Sequence, residues 1–259
     1  DLHSFPTRRS SDLGNLGKLD NKLRRLVFLI GKINWWQTLR INFKAFGFSD
    51  ALKFPIVVFY GFKIKKFSGE IKLNIPIKFG ILSFGHPYEI FSRSNKSGEA
   101  SILGTMEING STQFGVDTKL YINKGGHLTL GHINSFGSES QIICFNKIHF
   151  GNWVQCGSHC MFVDTNFHPL KNVATHQSIT MSGSIEIGSF NYIGIRTTIR
   201  MGTKTAKHTL IASNSLLNKD YTSLGEQNLL GGIPAIKLKE GIIRDWETEM
   251  TDLENYLKL

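Results

Sequence analysis

The sequence predicts an all-β solenoid, a parallel β-helix with a helical segment at each end. Three observations predict it: apolar residues recur every six positions, small polar residues recur in phase with them, and one polar stretch breaks the rhythm. Ile187, Ile193, Ile199, Thr205, Ile211 and Leu217 fall at strict six-residue steps. The residues that follow them are Gly188, Gly194, Arg200, Ala206, Ala212 and Asn218, mostly small. Four places after the first five come Asn191, Thr197, Thr203, Thr209 and Ser215, all small and polar. Neither a 3.6-residue helix nor a strand alternating by two yields this triple register.

The same register runs upstream. Leu130, Phe136 and Ile142 step by six, with Gly131 and Gly137 behind the first two. After a two-residue slip come Phe150, Cys156 and Phe162, with Gly151 and Gly157. Weaker steps pass through Ile108, Phe114 and Leu120, with Thr112 and Thr118 at the small position. Each six-residue unit reads as a short strand plus a tight corner, and three units close a triangular coil. The apolar residue points inward and stacks on its equivalents. The small residue fits the corner, where glycine tolerates unusual backbone angles. A coil buries its face only against the next coil, so several are needed. The solenoid is expected over residues 54–239. From Phe162 to Ile187 the repeat fails, so residues 163–186 are expected to leave the coil as a loop. Loops held on rigid scaffolds are where function concentrates.

Composition bounds the rest. The chain has 259 residues, of which 41% are apolar, enough for a core. The net charge of +10 is unevenly placed. From Gly14 to Lys66 there are eleven Lys/Arg against two acids, and from Phe67 onward seventeen against sixteen. The body is therefore near neutral. This argues against a nucleic-acid groove spread over the fold and fits a local surface contact. Cys144, Cys156 and Cys160 show no disulfide framework, which suits a reducing compartment. Cys156 and Cys160 read as small inward residues. His127, His132 and His149 or His159 could be assembled into a zinc site, but no ligand motif supports it and no metal is expected. No run of 18 apolar residues occurs, so no membrane-spanning helix is expected.

Three local signatures carry a family resemblance. One is Phe150-Gly151-Asn152, leading through two hexads into Asp164-Thr165-Asn166-Phe167-His168-Pro169. The second is Ile187-Gly188-Ser189-Phe190-Asn191-Tyr192-Ile193-Gly194. The third is Asn218-Lys219-Asp220 followed by Gly231-Gly232-Ile233-Pro234-Ala235. With the repeat, these resemble the hexapeptide-repeat acyltransferases, nearest the sugar O-acetyltransferases and the capsule or lipopolysaccharide acetyltransferases. The resemblance covers about Leu103 to Lys239.

That resemblance implies a left-handed β-helix and a cytoplasmic homotrimer with each active site between two subunits. It implies acetyl-CoA as acyl donor, a sugar or glycan hydroxyl as acceptor, and His168 as general base. An imidazole suits the task because its charge changes near neutrality. Asp164 could orient that imidazole or bind the acceptor, and Asn166 could position the acceptor. Gly194 and Ile195 are expected along the pantetheine arm, with Ser213 further on. Asn218, Lys219 and Lys239 are expected near the nucleotide end, where lysine pairs with phosphate. Relatives carry Lys or Arg directly after Pro-Ala; here Ile236 stands there and Lys237 follows. N-acylation of an amino sugar or antibiotic uses the same base, and a non-catalytic or metal-binding solenoid is the other alternative.

The two ends complete the reading. Asp1–Leu13 resembles a translated sequencing adapter and is set aside as non-native. Residues 14–53 read as a basic helical segment. Leu19, Leu23, Leu26, Val27 and Ile30 share one helical face, flanked by Lys22, Arg24, Arg25 and Lys32 and followed by Trp35 and Trp36. Such a helix, residues 19–36, either lies on a membrane surface or packs on the protein. Residues 240–259, with Ile242, Ile243, Trp246, Met250, Leu253 and Tyr256, read as a helix capping the open end of the solenoid.

Overall fold

A computed structural model describes residues 27–89 and 94–257. The readings on residues 1–26 lie outside the described residues, as does the side chain of Tyr256. The chain divides into two compact units, Asp1–Ile33 and Asn34–Leu259. In the first, residues 27–31 are helical.

In the second unit the expected solenoid is present, a three-sided parallel β-helix. The chain visits three sheets in rotation. The first face begins with Ile56–Val58 and holds nine strands, eight of them parallel. The second begins with Phe62–Phe67 and holds seven; the third begins with Glu70–Leu73 and holds five. Beyond Ile185–Ile187 the third face continues as single bridges, Glu186 to Lys204 and Lys204 to Asp220.

The six-residue register is the register of stacking. Val58, Phe84, Phe114, Phe136, Cys156, Ile193, Ile211 and Leu230 pair in turn down the first face. Leu120, Ile142, Phe162, Ile199 and Leu217 do so down the second. All are buried, as are the inward positions Ile108, Leu130, Phe150 and Ile187 of the third. Rings form the centre: Phe84, Phe114 and Phe136 stack at 5.1 and 4.9 Å, and Phe136 meets Phe150 and Phe162 edge-on. The two-residue slip after Ile142 is the corner between the second and third faces. Phe136 to Cys156 is 20 residues, whereas Ile193 to Ile211 is 18. Coils shorten toward the C-terminus as that corner tightens.

The corners differ from expectation in one respect. The left-handed backbone falls three residues after the inward residue, at Ile133, Glu139, Trp153, His159, Phe190, Arg196 and His208, mostly without glycine. The small position earlier in the hexad answers to close approach instead. A Cβ on Gly194 would come within 2.5 Å of Ser213 N in the next coil. The buried hydroxyls brace the turn: Thr197 Oγ1 donates to Gly194 O at 2.8 Å and Ser215 Oγ to Ala212 O at 2.6 Å.

Both ends of the solenoid are closed, the C-terminal one not by the helix expected to cap it. At the last coil, Asn228–Gly232 is paired antiparallel by Ala235–Glu240, so a hairpin covers the strand edge. The helix Trp246–Leu257 packs sideways. Trp246, Leu253 and Leu257 cluster with the corner residues Ile133 and Trp153, and Phe190 joins them. These left-handed corner residues project from the coil as an aromatic column, the apolar partner that the helix needs. At the first coil, the helix Trp35–Ala45 lies along Ile56–Val58 and is joined by the short helix Phe48–Ala51.

Candidate active site

The interruption of the repeat is a built hairpin. Met161–Val163 ends on the second face and Ile185–Ile187 resumes on the third. Between them Asn166 N donates to Met181 O at 2.8 Å, and Leu170–Lys171 pairs antiparallel with Ser178–Ile179. His168 sits between these two clamps and is exposed, so its backbone is held on both flanks while its imidazole faces solvent. Phe167 has a left-handed φ of 64°. Its ring packs back on Phe145, which meets Tyr121. In the other direction Arg200 Nη2 donates to Asn166 Oδ1 at 2.6 Å, tying the hairpin base to the next coil.

The structure gives Asp164 a different place from the one expected. It is fully buried, and its carboxylate accepts from Phe145 N at 2.7 Å and Asn146 N at 2.8 Å. It closes the corner of the preceding coil instead of facing solvent beside His168. Burial holds its carboxyl above the ordinary range, against the pull of the two N–H donors. Asn166 remains at the hairpin base, half-buried, with its oxygen committed to Arg200.

The residues expected along coenzyme A separate into groups. Gly194, Ile195 and Ser213 meet on successive coils at the corner between the first and second faces. Upstream on that corner Glu89 accepts from Ser138 N at 2.7 Å and Ser158 Oγ at 2.8 Å. Cys160 lies beneath it; its thiol donates to Gly194 O, and burial pushes it up to about 11. Asn218 and Lys219 are exposed at the corner between the second and third faces, on the hairpin's side and two coils beyond it. Lys239 stands on the terminal hairpin opposite Leu229, and Lys237 pairs with Glu240 at 2.7 Å. Within one chain, Ser213 precedes and Asn218 follows the second-face strand Leu216–Leu217, with the left-handed turn residue Asn214 between Ser213 and that strand. The Gly194 corner and the His168 hairpin thus flank opposite edges of the second face.

The histidines weighed as metal ligands are dispersed. His127 Nε2 lies 3.0 Å from Glu107 Oε2, His132 Nδ1 accepts from Ser111 N, and His159 faces Glu139. His149 lines an open cleft of about 240 Å³ on the third face, with Glu186, Lys204 and Thr222. Among the described residues no three His, Cys, Asp or Glu side chains converge.

Arg200 and Phe145 were not singled out from sequence. Arg200 left a signal: it is the largest side chain in a six-residue series otherwise carrying Gly188, Gly194, Ala206, Ala212 and Asn218. Phe145 left none, since its role depends on a ring contact 22 residues away with Phe167.

No family model and no curated protein matches the chain. Solved structures align with the chain at low identity. The polySia-specific acetyltransferase NeuO is 14% identical, covers 73% of this chain and 78% of its own, and has a TM-score of 0.48. A point mutant of AntD, an N-acyltransferase from Bacillus cereus in complex with dTDP and coenzyme A, is 12% identical over 72% of this chain and 89% of its own, with a TM-score of 0.46. The hexapeptide-repeat-containing acetyltransferase VCA0836 from Vibrio cholerae, complexed with acetyl coenzyme A, is 14% identical over 81% and 86%, with a TM-score of 0.36. The parallel solenoid itself stands on this chain's own strand order.

Proposed function

We propose that this chain is an acyltransferase of the hexapeptide-repeat, left-handed β-helix kind, taking an acetyl group from acetyl-CoA to a sugar hydroxyl. The observation that carries the reading is the placement of His168: an exposed imidazole on a braced hairpin, where the six-residue repeat breaks between Met161–Val163 and Ile185–Ile187. In the proposed reaction His168 takes the acceptor hydroxyl's proton as the oxygen attacks the thioester carbonyl carbon. The C–S bond then breaks, and the imidazolium returns the proton to the departing thiolate. A positioned base of this kind is worth about 10²–10⁴ in rate. Holding both substrates in one cleft supplies much of the rest. No metal is assigned a part.

The separation of His168 from the Gly194–Ser213 corner supports a homotrimer. A thioester held along one subunit's corner would be met by the hairpin of the next, with Lys219 and Lys239 toward the nucleotide phosphates. Arg200, by holding Asn166, serves as a positioning residue for the hairpin. The acceptor is proposed to be a precursor of a capsule, exopolysaccharide or lipopolysaccharide, modified in the cytoplasm. An amino sugar acceptor would use the same base.

The test is release of free thiol from acetyl-CoA by the purified chain with a panel of hydroxyl-only sugars and amino sugars, products identified by mass. His168→Ala is expected to lose at least a hundredfold in kcat/KM while keeping its melting temperature. Full activity in that variant would overturn the assignment. Turnover with amino sugars alone would replace O-acylation by N-acylation.

A further inference from the structure

The helix Trp35–Ala45 is amphipathic in the inverse sense. Its inner face carries Thr38 and Asn42, both fully buried, beside Ile41. The reason is the strand beneath it. Ile56–Val58 is the first strand of the first face, and among the described residues one of its edges has no further strand to pair with. Asn42 Nδ2 donates to Ile56 O at 2.7 Å, and Ile56 N donates to Asn42 Oδ1 at 3.0 Å. Val58 N donates to Thr38 Oγ1 at 3.0 Å, and Asn34 N donates to Val58 O at 2.8 Å. The helix therefore closes the sheet edge with polar groups, as an exposed edge requires.

Ile41 packs into the core, and the larger aromatic residues of the helix face outward. Trp36 and Phe48 are each 73% exposed, and Trp35, Leu39, Phe43 and Leu52 are exposed beside them. Phe43 and Phe48 rings meet at 5.7 Å, so the patch runs across both helices. A contiguous patch of this kind marks an interaction site. The charge carried by this segment is one-sided, although Lys65 in it is paired with Glu99. From Asn34 to Lys66 there are six Lys/Arg against the single acid Asp50, which is itself paired with Lys53 at 2.9 Å. No described helix is long and apolar enough to cross a membrane. Tryptophan and phenylalanine exposed on helices that also carry Arg40 and Lys44 match the boundary between headgroups and acyl chains of an anionic bilayer.

We infer that the outward face of Trp35–Leu52 docks the solenoid, by its N-terminal end, on an anionic membrane surface. The site is independent of the transferase reading. It also differs from the helix expected over residues 19–36, because the apolar residues that form it extend through Leu52.

The experiment is binding of the full chain to vesicles of phosphatidylcholine alone and of phosphatidylcholine with about 30–40% phosphatidylglycerol, the latter chosen to give a strongly negative surface. Sedimentation and tryptophan fluorescence are the two readouts. Binding to the anionic vesicles, a blue shift, and quenching by brominated acyl chains are expected. The triple variant Trp36→Ser, Phe43→Ser, Phe48→Ser is expected to lower the partition coefficient at least tenfold with an unchanged far-ultraviolet spectrum. Arg40→Glu with Lys44→Glu is expected to reduce the preference for anionic vesicles. Equal binding to both compositions, no binding, or an unaffected triple variant would overturn the inference. So would a wild-type chain that self-associates in lipid-free sedimentation through this face while the triple variant does not, since the occupant would then be a second copy.

Discussion

Replacing Asn42 by alanine isolates the edge cap at the start of the solenoid. The amide makes three contacts: with Thr38 O at 2.8 Å, Ile56 O at 2.7 Å and Ile56 N at 3.0 Å. The wild-type helix lies over the strand with Asn42 fully buried, so Asn42→Ala leaves the Ile56 N–H and C=O unpaired in a closed space. Each orphaned buried group costs about 1–3 kcal/mol. Alanine is the better helix former by about 0.5 kcal/mol, which offsets a little. The expected loss is about 2–5 kcal/mol. Trp36→Ala, on the exposed outer face, is expected to change stability by less than about 0.5 kcal/mol. Urea unfolding of both variants measures the difference, and hydrogen exchange at Ile56 locates it. A loss of about 3 kcal/mol confined to the first coil speeds exchange there roughly a hundredfold. If Asn42→Ala and Trp36→Ala were equally stable, or the Ile56 amide exchanged at the wild-type rate in Asn42→Ala, the edge cap would be refuted.

Two further outcomes follow from the core and from the ionisable groups. Phe136→Ala removes a fully buried ring in contact with Phe114, Phe150 and Phe162 and is expected to cost about 3–5 kcal/mol by denaturant unfolding. Burial, and then the neighbouring Lys147, lowers the His149 pKa, so the unfolded chain takes up that proton first as pH falls. Its share of stability is present above the ordinary imidazole range, about 6.5, and is lost as pH falls from there toward its folded value; His149→Asn is expected to flatten this part of the stability–pH curve. The Glu107 carboxyl is lowered by its hydrogen bond with His127, so its contribution is present above the ordinary glutamate range, about 4.3, and is lost only at more acid pH. His149→Asn should leave that second decline in place.

The inward positions were legible because a single constraint governs them. A residue that must meet its counterpart one coil above and below cannot drift in register, so Phe136, Cys156, Ile193 and Ile211 show the period however long the corners become. The hairpin was legible as the failure of that period. What lay outside the coil was not fixed by it. Asp164 carries a residue type common in sites, yet its carboxylate answers two backbone N–H groups 18 and 19 residues earlier, in the previous coil. Gly194 suggested an unusual backbone angle, but the need was for clearance from Ser213, and the left-handed residue of that corner is Arg196.

The two flanking helices sharpen the same point. Sequence reading takes the apolar stripe of a helix as the side that packs, which holds for Trp246–Leu257 because its partner is an aromatic column of Trp153 and Phe190. Only the location of that column, on the flank of the coil and not at its end, was out of reach. For Trp35–Ala45 the rule reverses, since the partner is the open edge of Ile56–Val58 and demands donors and acceptors. The stripe that packs is then Thr38 and Asn42 with Ile41, and the stripe that remains is Trp36, Leu39 and Phe43. A helix beside a β-helix terminus therefore has to be read against what the terminal strand lacks. Once hydrogen bonds claim one face, an aromatic face left outside cannot be explained by the fold, and its cause has to be sought in what the fold meets.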